Sequence, residues 1–137
     1  MQNEQKSSKV LNIVLWVVQV LLALMFGMSG FMKATQPIEQ LSAMLPWAAQ
    51  VSPLLVRFIG ISELLGAIGL LLPSLLRIKP VLTPLAAAGL VLVMLFATVF
   101  HLSRGESSAI GMNIIIMLMA AFVAWGRTKK APIQPKA

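Results

Sequence analysis

PLLVRFIGISELLGAIGLLLP, running from Pro53 to Pro73, decides how the chain folds. Nineteen residues lie between the two prolines, and nearly all are apolar. At about 1.5 Å per residue, a helix of that length nearly spans the ~30 Å hydrocarbon core of a bilayer. Glu63 sits at its centre. A lone carboxylate there costs about 2.5–3.5 kcal/mol on insertion scales, so it is expected to face protein or water. Gly60, Gly66 and Ala67 fall within about 60° of Glu63 on a helix, which makes its face the one where other backbones approach closely. An unpaired acid at that depth would be neutral, whereas a cation within about 4–6 Å would keep it ionised. Arg57 lies about 9 Å up the axis and about 120° round the helix. That is a poor position for a direct pair within one helix. Arg57 is nevertheless the cation expected to reach Glu63, through a water or a ligand.

The rest of the composition agrees with a membrane protein. Of 137 residues, 58% are hydrophobic and 11% are charged, against about 25% charged in soluble domains. The chain is short enough for one domain. It has no cysteine, which excludes disulfides, thiolate catalysis and cysteine-ligated metals. The net charge of +7 is assigned to membrane flanks touching anionic lipid rather than to nucleic acid.

Working outward, residues 1–9 form a polar tail, expected to be frayed. The first span covers about 10–31. It is too long for a signal-peptide core and lacks a small-residue cleavage site. Gln19 and Asn12 are its strongly polar interior residues, and its Gly27–Gly30 end is rich in small residues. Between Ala34 and Ser52 the chain is amphipathic. Pro37 and Glu39 suit the start of a short helix, Ile38, Leu41 and Leu45 recur at helical spacing, and Trp47 suits an interface. The segment is therefore expected to lie on the bundle as a lid. The remaining spans cover about 53–72, 81–102 and 109–126, with Ala86–Gly89 as a further close-contact surface. Residues 127–137 read as a disordered basic tail.

With four spans, both termini share a side with the Pro73–Pro80 turn. That side holds Lys6, Lys9, Arg77, Lys79, Arg127, Lys129, Lys130 and Lys136; the other holds Lys33, Arg57 and Arg104. The positive-inside rule then places both termini in the cytoplasm of a cell's inner (plasma) membrane. It also brings Lys33, Arg57, His101 and Asn113 into the outer half of the bundle, above Glu63. These five are the candidate site. An acid, an imidazole and an arginine can handle protons at a quinol hydroxyl. They can equally hold a polar headgroup whose tail lies among Met25, Phe26, Met28 and Phe96. One histidine and one nearby acid do not make a metal site, and no phosphate loop or nucleophile elbow is present.

Three stretches resemble the DoxX-like family of small four-helix membrane proteins: Ser29–Lys33 (SGFMK), Gly60–Pro73 (GISELLGAIGLLLP) and a third helix ending in Phe100-His101-Leu102. The resemblance covers about Val10 to Arg127 and implies Lys33, Glu63 and His101 as a polar signature. It also implies association with membrane redox complexes, while distant relatives are assembly chaperones. The expectation is an all-α, integral membrane four-helix bundle with an amphipathic segment between the first two spans. Its expected role is an accessory subunit, not catalytic alone, that binds a quinone-like or other lipid-like ligand. Beyond the bilayer, its expected partner is a membrane protein or a second copy. The alternatives are a non-catalytic assembly factor and a small proton-coupled transporter. The transporter is disfavoured because such exporters carry their acid on the first helix and some insert both ways.

Overall fold

A backbone inside lipid must satisfy its own polar groups, and each long apolar run here does so as a helix. The computed structural model of the chain describes residues 2–136, the side chains of residues 2–8 and 107–109 excepted. Its elements are α1 (Gln2–Thr35), α2 (Ile38–Met44), a 3-10 turn (Pro46–Ala49), α3 (Pro53–Leu76), α4 (Leu82–Ser103), α5 (Ser107–Trp125) and a π-turn (Gly126–Lys130). No strand occurs among the described residues. Four segments are long and apolar enough to cross a membrane: Lys9–Thr35, Pro53–Leu76, Leu82–Ser103 and Ile110–Lys130. The fold is an all-α membrane bundle, as expected. Helix α1 packs most extensively on α3, α4 packs on α5 and on α3, and α1 and α5 form the slimmest seam.

Two helices run beyond the expected spans. Helix α1 begins at Gln2, although its apolar span starts at Lys9, close to the expected residue 10. Helix α3 runs through Pro73 to Leu76 instead of stopping at Leu72. Proline has no N–H, so Pro73 leaves the carbonyl four residues earlier, that of Gly69, without its helical donor. The hydroxyl of Thr83 on α4 donates to that carbonyl at 3.0 Å. Thr83 also bonds the Ser74 hydroxyl at 2.6 Å. A neighbouring helix thus repairs the break, and α3 gains a turn.

Small residues set the helix spacing. A Cβ on Gly30 would stand 2.6 Å from the Gly60 carbonyl oxygen, and one on Gly60 would stand 2.6 Å from the Ala34 nitrogen. Helices α1 and α3 therefore meet backbone to backbone, the close approach that glycine allows in membranes. Between α3 and α4, Gly66 receives Leu90 and Gly69 receives Ala86. The expected surface at Ala86–Gly89 is only half used. Ala87 is buried, whereas Ala88 and Gly89 are exposed, and a Cβ on Gly89 would meet nothing within 4 Å. Leu15, Leu22, Phe26, Leu70, Leu90 and Val123 are among the core residues. Met25, Met28 and Phe96, expected to line a ligand tail, face outward instead. Of that group only Phe26 is buried.

The segment after α1 packs on the bundle. Leu41, Ala48 and Val56 are buried together, with Ile38, Leu45 and Trp47 partly buried against them. The C-terminal residues also differ from the expected disordered tail. The Arg77 carbonyl accepts from the Lys136 N–H at 2.7 Å, and Arg77 Nε donates to the Gln134 carbonyl at 2.8 Å.

Candidate functional site

Ser29 and Lys33 lie four residues apart on one face of α1, so they project side by side. Cα–Cβ bonds lean toward a helix's N-terminus. In consecutive, oppositely directed spans, Lys33 therefore leans toward the Pro73–Pro80 end and Glu63 toward the Ala34–Ser52 end, and the two meet beside the Gly30–Gly60 crossing. Lys33 Nζ lies 2.7 Å from Glu63 Oε1, and Ser29 Oγ donates to Glu63 Oε2 at 2.7 Å. Only 2% of the Glu63 side chain is exposed, against 13% for Lys33. A buried charge of this kind persists only when paired and hydrogen-bonded, and both carboxylate oxygens are engaged here.

Arg57 is not the cation on Glu63. Its Nη1 donates to the Lys33 carbonyl at 2.9 Å, one of the last carbonyls of α1, which have no helical donor of their own. A guanidinium is well placed there, at the negative end of the helix dipole. The axial distance had favoured Arg57. The lean of the two side chains across the crossing favours Lys33.

Trp47 roofs the pair. Lys33 Nζ lies 5.6 Å from the centre of its ring, within cation–π range. The lid expected from Ile38, Leu41 and Leu45 thus covers the polar residues below it. Trp47 meets Phe100 edge-on at 6.1 Å, and Phe100 meets His101 edge-on at 5.5 Å. His101 reaches the site through these rings, with no direct hydrogen bond to Lys33, Arg57 or Glu63 among the described residues. Its Nδ1 faces Glu106 Oε2 at 3.0 Å in the α4–α5 turn. Arg104 also bonds Glu106, and this bond, with His101 helping, holds the Glu106 carboxyl below the usual carboxylate range. Asn113 on α5 has a buried amide nitrogen with no hydrogen-bond partner among the described residues.

The model of the DoxX-like family matches residues 17–123. The chain belongs to the DoxX-like family. Curated proteins and solved structures give no match to it. The family match takes in Lys33, Glu63 and His101 of this DoxX-like chain, and also its lid, Arg57 and Asn113.

A second polar cluster in this DoxX-like protein, at the opposite end, was missed by the sequence reading. Arg127 is 3% exposed. Its Nε donates to Gln19 Oε1 at 2.6 Å, and its Nη1 to Asn12 Oδ1 at 2.6 Å and to the Ala131 carbonyl at 2.8 Å. Its guanidinium lies 5.4 Å from the Trp16 ring. Gln19 Nε2 in turn donates to the Leu70 carbonyl at 2.7 Å. This end of the bundle therefore carries a buried polar network of its own. The available signal was the spacing of Asn12, Trp16 and Gln19, which share one stripe of α1.

Proposed function

We propose that this DoxX-like protein is an accessory subunit of a membrane redox system that binds an acceptor-bearing, quinone-like headgroup at Lys33 and Arg57, under Trp47. The carrying observation is that Lys33 and Arg57, which have donors only, keep most of their N–H groups unused. Each Glu63 oxygen already accepts one hydrogen bond, from Lys33 and from Ser29. Lys33 uses one of its three N–H groups on Glu63. Arg57 uses one of its five on the Lys33 carbonyl. Such a site suits quinone carbonyls, or an anionic amphiphile, better than a donor-rich molecule. Because Met25, Met28 and Phe96 face outward, the tail of the ligand would stay in lipid. The in-chain pairing of Glu63 weakens the assembly-factor alternative, in which that charge would meet a partner's.

Titrating the purified protein in neutral detergent with a water-soluble short-chain benzoquinone, read by tryptophan quenching, tests the reading. Trp47→Phe is expected to lose most of the quenching. Lys33→Met combined with Arg57→Gln is expected to weaken binding about tenfold or more, the scale of lost hydrogen bonds to charged groups. Equal binding by the wild type and the double variant, with helical circular dichroism unchanged, would sink the proposal. A stoichiometric protein partner without ligand would favour the assembly factor.

The same reading has both termini cytoplasmic in the plasma membrane, supported by the bias of eight basic residues against three. Single cysteines replacing Glu39 and Lys130 check this in intact cells. An impermeant thiol reagent is expected to label position 39 and spare position 130; the reverse pattern refutes it.

A further inference from the structure

We propose that the basic end of the α1–α5 seam is a binding site for the phosphate of an anionic phospholipid. Arg127 is its deep cation, and Lys9 and Lys130 are its outer ones. The argument starts from the burial of Arg127. A guanidinium that is 3% exposed is ordinarily matched by an anion. Here every acceptor it meets is neutral: the side-chain oxygens of Gln19 and Asn12 and the carbonyls of Ala131 and Asn12. Among the described residues no carboxylate forms an ion pair with it. Of its five N–H groups four have partners, and the weakest of these, from Nη2, spans 3.4 Å. Among the described residues the second N–H of Nη2 has no partner.

The chain places its acids elsewhere. Glu39 lies on α2, Glu63 pairs with Lys33 and Glu106 with His101 and Arg104, all at the other end. The fourth, Glu4, stands on α1 eight residues before Asn12, about 12 Å further out along the axis. The Arg127 end therefore gathers seven further basic residues around one buried charge that pairs with no carboxylate among the described residues.

The surroundings select the kind of anion. The α1–α5 seam is the least packed of the helix pairs around the bundle, so it is the place where a headgroup enters with least disturbance. Lys9 is one turn out from Asn12 on the same side of α1, and it is exposed. Lys130 lies three residues beyond Arg127 with its ammonium 5.9 Å from the Trp125 ring. Trp125 is itself exposed, at the end of α5. Tryptophans at helix ends mark headgroup depth. At that depth the abundant anion is a phosphodiester, and arginine and lysine together between membrane helices bind it.

The test compares three additions to the protein in neutral detergent: phosphatidylglycerol, phosphatidylcholine and inorganic phosphate. Phosphatidylglycerol is expected to raise the unfolding midpoint in a concentration-dependent way. It is also expected to stay bound in native mass spectrometry, while the other two do neither. Lys9→Gln combined with Lys130→Gln leaves the Arg127 network intact and is expected to weaken phosphatidylglycerol binding roughly ten- to thirtyfold. Arg127→Gln is expected to abolish the preference, and Arg104→Gln, at the other end, to keep it. If Arg127→Gln does not fold, the lysine variant decides. Equal effects of the two lipids, or full binding by the lysine variant, would overturn the proposal. Stabilisation by inorganic phosphate equal to that by phosphatidylglycerol would also overturn it, by making this a free-anion site.

Discussion

Each end of the bundle draws a cation away from bulk solvent, Lys33 in part and Arg127 almost fully, and the two are held in opposite ways. At the lid end Lys33 faces a carboxylate, and the Ser29 hydroxyl and the Trp47 ring complete its surroundings. At the other end Arg127 faces two amide side chains, two carbonyls and the Trp16 ring. The first arrangement is neutral as a whole; the second keeps a net positive charge. The choice of residue follows from geometry. Lysine offers a compact ammonium that one carboxylate can neutralise, whereas arginine presents a planar fork that several neutral acceptors can share. The lid end therefore depends on its counter-charge, and the basic end depends on a set of dipoles.

Removing that counter-charge should have the largest effect. Glu63→Leu leaves the partly buried Lys33 against an apolar group, which costs at most about 3–5 kcal/mol, the figure for a broken buried pair. Adding Lys33→Met should recover most of the loss, because a buried pair replaced by apolar side chains is often neutral or better. Unfolding of both variants and the wild type by denaturant in detergent measures this. A cost below about 1 kcal/mol for Glu63→Leu would mean that the pair is solvated, and the contrast between the two ends would collapse.

A smaller effect sharpens the comparison by moving the helices rather than the charges. Gly60→Ala puts a methyl 2.6 Å from the Ala34 nitrogen and should cost about 1–3 kcal/mol through overpacking. Gly89→Ala, where a Cβ meets nothing within 4 Å, should stay within about 0.5 kcal/mol. The same unfolding measurement ranks the two. If they cost the same, the α1–α3 crossing is not what sets the lid-end geometry.

Much of this was legible in the sequence. Four apolar runs set four spans, because hydropathy over that length has few alternative uses. Glu63 stood out because a mid-span acid is expensive. The lid was readable from the spacing of Ile38, Leu41 and Leu45. The partner of Glu63 was not. Angles within one helix do not determine how a second helix registers against it, and here that register is fixed by Gly30 on Gly60. Arg127 was hidden for a different reason. Its neighbours Lys129, Lys130, Pro132 and Pro135 have the composition of a solvated tail, and composition does not reveal that a single side chain folds back. Pro73 misled in a third way, since its missing donor is made good by Thr83, ten residues later and on another helix.

The Gly30–Gly60 contact also acts as a fulcrum. Backbone touches backbone there, so no side chain can yield when α1 and α3 rock against each other. From Gly60 the arm of α3 toward Pro53 is about 10 Å, and the arm toward Leu76 is about 24 Å. A tilt of a given angle therefore sweeps the basic end through more than twice the distance that it moves the lid end. Lys33 and Glu63 sit within one turn of the pivot and are displaced least. A disturbance at the far end reaches this pair through the shortest lever in the molecule.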